Sequence, residues 1–165
     1  MKRPIHKIKA KPIDLAIEAA GFLALTLLWA YVSYNYTILP DIVPIHFGAG
    51  GVPDGYGEKE LNFLAPAIAT CLFVFITYLQ GKPHKLNYAT DITENNALAQ
   101  YTSAVRMMRV LKLALCILFI FIEYSTVSAS FSEDGTADLK WMFIGAIFIV
   151  QLPVFYFIIQ SSKNA

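Results

Sequence analysis

The sequence predicts an all-α membrane protein with four transmembrane helices and a short ordered extracytoplasmic loop between the first two helices. The first observation is composition. Of the 165 residues, 56% are hydrophobic and 15% are charged, against about 45–50% and about 25% in soluble domains. The second observation is that the apolar residues fall in four long runs, and the third is that Lys and Arg cluster in alternate connections. Such a composition excludes a disordered chain, a disulfide-stapled secreted domain and most soluble enzymes.

Each apolar run has about 20 residues, which is the length that a helix needs to cross a bilayer. In lipid, the backbone groups of such a run are satisfied only within a helix. The first run follows a basic lead, but it is longer than the apolar core of a signal peptide, about 7–15 residues. We therefore interpret it as an uncleaved span. The predicted spans are residues 15–34, 61–79, 111–130 and 141–159.

The distribution of basic residues predicts the orientation. Eleven of the 13 Lys and Arg residues lie in the two terminal tails or in the connection between spans two and three, and only Lys59 and Lys140 lie on the other side. Because cytoplasmic loops carry an excess of Lys and Arg, both termini are predicted to be cytoplasmic. Loops 37–60 and 131–140 then face outward, and the predicted location is the cytoplasmic membrane, as a multi-pass protein.

The same patterns divide the chain into five parts. A basic cytoplasmic tail precedes a two-helix module that contains the Pro/Gly-rich outer loop 37–60. A cytoplasmic connector then leads to a second helix pair and a short cytoplasmic tail. These parts are residues 1–14, 15–80, 81–110, 111–160 and 161–165.

The outer loop is rich in turn residues, because residues 38–60 hold five of the nine glycines and three of the eight prolines. Residues 42–47 are mostly β-branched or aromatic and predict a short strand, which Pro44 restricts to a sheet edge. The glycines at positions 48–51 favour a reversal of the chain. The run Val-Pro-Asp-Gly at 52–55 is typical of a type I or II turn. Together these signals predict a small hairpin-like cap.

An ordered set of loop residues carries a resemblance to a known family. It reads Leu39-Pro40-Asp41-x-x-Pro44-x-His46-Phe47, followed by Gly51-x-x-Asp54-Gly55 and Lys59. This set resembles a bacterial membrane-protein domain of unknown function, found at the N-terminus of the immunity proteins that protect cells from the sporulation-delay (Sdp) peptide toxin. The resemblance covers about residues 15–80. It implies a bacterial membrane protein that protects against or senses an envelope-active peptide, and it implies no catalytic residues.

The loop motif is our candidate ligand-binding or structural site. Within it, His46 has three interpretations. With Asp41, Asp54 and Glu58 it is a weak candidate for a divalent metal site. Alternatively, the two aspartates bond their own turns and His46 bonds a loop carbonyl or carboxylate, or His46 is a ligand-contacting or pH-sensitive group. The full candidate motif is Pro40, Asp41, Pro44, His46, Phe47, Gly51, Asp54, Gly55 and Lys59.

Two acids fall inside the predicted spans. Glu123 lies in span three, where an ionisable group is costly and indicates a functional site unless it sits at the outer interface. It has no Lys or Arg at similar depth and is expected to stay protonated or to reach outward to Lys59 or His46. Glu18 lies near the cytoplasmic end of span one, with Lys11 or Arg106 as expected partners.

Three basic residues precede or begin span three. Arg106, Arg109 and Lys112 are expected either to meet anionic headgroups or to form a solvated cluster on the cytoplasmic side.

The leading functional hypothesis is a non-enzymatic protective or ligand-sensing protein of the bacterial envelope that acts through residues 39–59. Glu133, Asp134 and Asp138 of the second outer loop are accessory at most. The alternatives are a membrane-embedded metal-dependent enzyme and a small proton-coupled carrier that uses Glu123. The sequence has no nucleotide-binding, nucleophile-elbow or nucleic-acid motif, so we expect no cofactor and no nucleic acid. The expected partners are the lipid bilayer, a peptide toxin or other envelope ligand, and another membrane protein.

Overall fold

The computed structural model describes residues 3–48, 51–132 and 140–163. This part of the chain is mostly helical and contains a small sheet. Short 3₁₀ turns at Lys59–Phe63 and Pro83–Lys85 flank the second helix. The principal elements in chain order are α1 (Pro12–Tyr36), β1 (Ile42–Phe47), β2 (Pro53–Glu58), α2 (Leu64–Gln80), α3 (Ala97–Phe131) and α4 (Lys140–Lys163).

Helix α3 is the central helix of the structure, since α1, α2 and α4 all pack against it. Helices α1 and α3 run side by side in the same direction. Their contacts include Ala24 of α1 with Cys116 of α3, in a cluster that Phe73 of α2 completes. Small side chains at these positions let neighbouring helices approach closely. The helix-packing core is therefore a narrow stripe along α3, and the other faces of the outer helices stay exposed.

Helix α1 begins at Pro12, three residues before the predicted span. Proline suits the first position of a helix because its fixed φ angle is already helical and its missing N–H needs no partner. The carboxylate of Asp14 accepts a hydrogen bond from the backbone N–H of Lys11 at 2.8 Å, which satisfies one of the free donors at the helix start.

The loop between α1 and α2 folds as a two-stranded antiparallel sheet, so the fold is mostly helical with a small sheet where the all-α prediction had only a hairpin-like cap. In the sheet, Ile42 is paired with Glu58 and Phe47 with Pro53, with an irregularity around His46. Strand β1 has the predicted limits. The predicted turn at residues 52–55 is wrong, because cross-strand pairing with β1 overrides the local turn preference of the Pro-Asp-Gly run.

The chain reverses earlier, before Val52. The N–H of Gly48 donates to the carbonyl of Val52 at 2.9 Å. Gly51 adopts a φ of 77°, a left-handed conformation that favours glycine. The reversal predicted at residues 48–51 is therefore confirmed at Gly48 and Gly51, the two residues of this range that the structure describes.

Two helical segments among the described residues are long and apolar enough to cross a membrane, Pro12–Tyr36 and Lys59–Gln80. They contain the first two predicted spans. Helices α3 and α4 contain the third and fourth predicted spans, which stay predictions. Glu133, Asp134 and Asp138 lie outside the described residues.

The two ends of the helical assembly differ in structure. At one end, the hairpin end, β1 packs against α3 and pairs with β2. At the opposite end, the tail end, the N-terminal tail lies over the start of α3. There the hydroxyl of Tyr101 donates to the carbonyl of Pro4 at 3.0 Å, and Arg3 bonds the carbonyl of Leu86. Burial raises the pKa of Tyr101 and of the neighbouring Tyr88.

Candidate functional site

The base of the hairpin is held firmly on the helices. Val43 of β1 is fully buried, and Leu39, just before the strand, is also buried. The Lys59 ammonium lies 3.2 Å from the Asp41 carboxylate and 5.2 Å from the centre of the Tyr36 ring. The backbone N–H of Lys59 donates to the carbonyl of Asp41 at 3.0 Å. These contacts join the end of α1 to the start of α2 and fix the direction in which the hairpin projects.

The tip of the hairpin carries an exposed histidine–carboxylate pair. The Nδ1 atom of His46 is hydrogen-bonded to the Oδ1 atom of Asp54. The side chains are 73% and 53% exposed, respectively. A pair this exposed contributes at most about 1 kcal/mol to folding. The tip can therefore present an acceptor and a ring nitrogen to a ligand at little cost in stability.

Two glycines leave room for this pair. A Cβ atom at Gly55 would lie 3.1 Å from the Cβ atom of His46. A Cβ atom at Gly48 would lie 3.3 Å from the carboxylate of Asp54. A side chain at either position would crowd the pair, so Gly55 of the motif and Gly48 outside it both serve the geometry of the tip.

The remaining motif residues have structural positions. Pro44 is buried and Phe47 is half-buried, whereas Pro40 is exposed beside Asp41. Sequence reasoning missed Tyr56 and Ile42, which expose more than half of their surface on the hairpin. In β2, Tyr56 lies at one of the exposed positions that alternate with half-buried ones. The hairpin therefore combines an exposed polar pair with exposed apolar side chains.

The candidate metal ligands are not brought together. His46 and Asp54 meet at the tip, whereas Asp41 pairs with Lys59 at the base and Glu58 is opposite Ile42, also near the base. Among residues 3–48, 51–132 and 140–163, no group of three or more His, Cys, Asp and Glu side chains is arranged to hold a metal ion. The four-residue set therefore does not assemble in this structure.

Glu123 of α3 lies inside the helical assembly, with 4% of its surface exposed. Its carboxylate lies near Tyr31 of α1. It reaches neither of the partners that the sequence suggested, because Lys59 is paired with Asp41 and His46 with Asp54. Among the side chains that the structure describes, no cation lies within ion-pairing distance of Glu123.

A group of buried and half-buried charges lies at the tail end. Arg106 donates from Nε to Asp14 at 2.6 Å and from Nη2 at 3.3 Å. Lys112, only 1% exposed, donates to Glu18 and, at 2.8 Å, to the hydroxyl of Thr77. The Nε atom of Arg109 lies 3.4 Å from Glu18. We call this group the tail-end charge cluster: Asp14, Glu18, Arg106, Arg109 and Lys112.

The cluster corrects two expectations. Glu18 is paired with Lys112 and Arg109, and neither Lys11 nor Arg106 is its partner. The three basic residues are also not a solvated group, since each forms an ion pair with a carboxylate of α1. The reason is that α1 and α3 run side by side, which places side chains 92 and 94 positions apart in contact.

Comparisons with known proteins place the hairpin within a described domain. The family described as "Domain of unknown function (DUF1648)" matches residues 21–70, which cover most of α1, the hairpin and the start of α2. The chain is also similar to an uncharacterized protein of the archaeon Archaeoglobus fulgidus, with 30% identity over 161 residues, 89% of this chain and 86% of that protein. No solved structure matches the chain. The similarity therefore extends beyond the domain to α3 and α4, and to an archaeal protein.

Proposed function

Since the chain belongs to one family with the Archaeoglobus fulgidus protein and carries the DUF1648 domain, we propose that it is an integral protein of the cytoplasmic membrane. It acts there as a non-enzymatic protective or ligand-sensing protein. Its four helices span the bilayer, and its hairpin binds a peptide or another envelope ligand on the outer side. The observation that carries the ligand proposal is the exposed pair of His46 and Asp54 on a hairpin with a buried base.

The exposed apolar surface supports the membrane proposal. Only 22% of the apolar window of Pro12–Tyr36 and 28% of that of Lys59–Gln80 is buried inside the protein. A core helix of a soluble protein would be mostly buried. Large apolar side chains stay exposed along both segments, among them Phe22, Leu27, Ile68 and Phe75. Soluble monomers rarely expose contiguous apolar patches larger than a few hundred Å², so a lipid environment accounts for these surfaces.

The charges support the proposed orientation. The tail end contains the tail-end charge cluster and most of the other Lys and Arg residues, whereas the hairpin end contains Lys59 and, at the start of α4, Lys140. The positive-inside rule then places the tail end in the cytoplasm and the hairpin outside. In this orientation the exposed tip is the part of the described chain that meets molecules arriving from outside the cell.

The surface chemistry of the hairpin suits a peptide. Tyr56 and Ile42 offer apolar contact, and the His46–Asp54 pair offers a donor or acceptor beside it. Tyrosine is enriched at binding hot spots because it combines contact area with a polar hydroxyl. Both strands of the hairpin are also sheet edges, to which an extended peptide can add as a strand.

A labelling experiment tests the orientation. In a background with Cys71 and Cys116 replaced by serine, we expect Val52→Cys to react with a membrane-impermeant maleimide in intact cells. The matched variant Asn87→Cys is expected to react only after the membrane is permeabilised. The opposite pattern, or recovery of the protein in the soluble fraction without detergent, would contradict the membrane proposal.

A growth assay tests the ligand proposal, with the sporulation-delay peptide toxin as the probe. Cells that express the protein are expected to survive higher toxin concentrations than cells without it. His46→Ala and Asp54→Asn are expected to reduce this protection more than tenfold, as for loss of a hot spot of about 2 kcal/mol.

The control is Asp91→Asn, which removes an exposed carboxylate far from the hairpin. It should protect as well as the parent protein. Membrane levels of all variants are measured by blotting. Absence of protection by the parent protein, or equal loss of protein from the membrane for the two hairpin variants, would contradict a ligand role for the tip.

A further inference from the structure

A crevice between α3 and α4 lies at the tail end, far along the chain from the hairpin motif. It has a volume of about 940 Å³, near the upper end of the range for small-molecule sites, about 300–1,000 Å³. Residues 95–110 form one wall and residues 149–160 the other, with Lys11 at the rim. It takes no part in the function proposed above for the hairpin.

The polar side chains that line the crevice are confined to the half nearer the start of α3, where Leu98 and Ala99 also contribute. Thr102, Ser103 and Arg106 line the half nearer the start of α3. Val110, with Ile149 and Leu152 of α4, lines the other half. Thr102 and Val110 are about 12 Å apart along the helix, at 1.5 Å per residue. A molecule that matches this lining has a polar head and an apolar chain.

The polar half carries positive charge that the protein does not neutralise. The tail-end charge cluster, of which Arg106 lines the crevice, holds three cations against two carboxylates. Arg106 uses its Nε and Nη2 groups for Asp14, and its Nη1 group makes no hydrogen bond to a described residue. Lys11 forms no ion pair with any described residue. Its charge therefore adds to the one excess positive charge of the tail-end charge cluster. The head of a complementary ligand is therefore an anion.

We propose that this crevice binds one anionic phospholipid of the surrounding bilayer, with its phosphate between Lys11 and Arg106 and an acyl chain along Val110 and Leu152. The apolar half is continuous with the exposed apolar face of α4, where Phe148 and Leu152 are uncovered. A bilayer lipid can reach the crevice along that face without leaving the membrane. The inference rests on the proposed membrane location, but it does not depend on the ligand of the hairpin.

Native mass spectrometry of the purified full chain tests the proposal, with phosphatidylglycerol and phosphatidylcholine as probes. We expect the parent protein to retain one phosphatidylglycerol and to bind it more tightly than phosphatidylcholine. Lys11→Gln is expected to weaken phosphatidylglycerol binding about fivefold, as for one basic residue near a membrane surface. Ser103→Phe, which fills the crevice, is expected to abolish the specific adduct.

Two matched variants control for charge and size. Lys9→Gln removes an exposed charge two residues from Lys11, and Ser33→Phe adds the same ring on an exposed face of α1. Neither is expected to change binding. Equal retention of the two lipids, or equal weakening by Lys9→Gln and Lys11→Gln, would overturn the proposal. Displacement of the lipid by inorganic phosphate alone would also overturn it, because the site would then bind a free anion.

Membrane fractionation distinguishes failure of the two proposals. A protein that is found in the membrane but retains no lipid selectively refutes the crevice site alone. A protein that is soluble without detergent refutes the membrane location and the lipid site together.

Discussion

The two ends of the molecule use charged residues in opposite ways. At the hairpin end, His46 and Asp54 form a pair that is mostly exposed. At the tail end, Lys112 is almost fully buried and contacts a carboxylate, a hydroxyl and an aromatic ring. Exposed pairs contribute little to stability, whereas breaking a buried pair leaves a charge without compensation. The comparison therefore assigns a structural role to the tail-end charge cluster and leaves the hairpin tip free for binding.

The largest expected effect comes from breaking a buried pair. Glu18→Gln leaves Lys112 buried without its closest carboxylate, and we expect a loss of about 3–5 kcal/mol in unfolding free energy. Thermal unfolding in detergent measures it. The double variant Glu18→Gln/Lys112→Met removes both charges and is expected to recover much of the loss, because contacting residues are not additive. A single variant as stable as the parent protein would show that the cluster does not stabilise the fold.

A smaller effect is expected where α4 docks on α3. Ser161 donates to Gln100 at 2.8 Å, Gln100 donates back to the carbonyl of Ser161 at 2.8 Å, and both side chains are buried. Ser161→Ala removes the buried hydrogen bond that Ser161 donates to Gln100 and is expected to cost about 1–1.5 kcal/mol. The adjacent Ser162 is exposed, so Ser162→Ala is expected to change stability by less than about 0.5 kcal/mol. Equal melting temperatures for the two variants would contradict this docking.

A local effect is expected at the base of the hairpin. Lys59→Met removes the ion pair with Asp41 and the contact with the Tyr36 ring. Its expected cost is about 1 kcal/mol, which raises amide hydrogen exchange in β1 and β2 about fivefold while global stability changes little. Lys82→Met, at the tail end, should leave exchange in the hairpin unchanged. Unaltered exchange in Lys59→Met would show that the buried Val43 alone anchors the hairpin.

The smallest effect on stability is expected at the tip. His46→Ala and Asp54→Asn are expected to change the unfolding free energy by less than about 0.5 kcal/mol, although both are expected to reduce protection from the toxin. Thermal unfolding of the two variants beside the parent protein checks this. A loss of about 2 kcal/mol or more would make the pair structural and would remove the contrast between the two ends.

Local signals in the sequence were reliable where one segment decides its own structure. Strand β1 lies at the residues predicted from β-branched composition, and the first two apolar runs are helices long enough to span a membrane. The prediction of a turn at residues 52–55 was wrong because it used only these four residues, whereas the observed conformation depends on pairing with β1. The four candidate metal ligands were close in sequence, but the length of the hairpin separates its base from its tip.

The sequence by itself determined the apolar runs, the excess of basic residues at one end, and the glycine and proline positions that shape the hairpin. These properties belong to single segments, because neighbouring residues determine helix length, local charge and turn preference. Only the tertiary structure decided that Glu18 is paired with Lys112, that α3 is the central helix, and that a charged crevice lies between α3 and α4. Such contacts join residues far apart in the chain, and they depend on which helix faces meet. These helices are apolar on all sides, so their sequences show only weak amphipathic patterning. This patterning does not specify which faces meet.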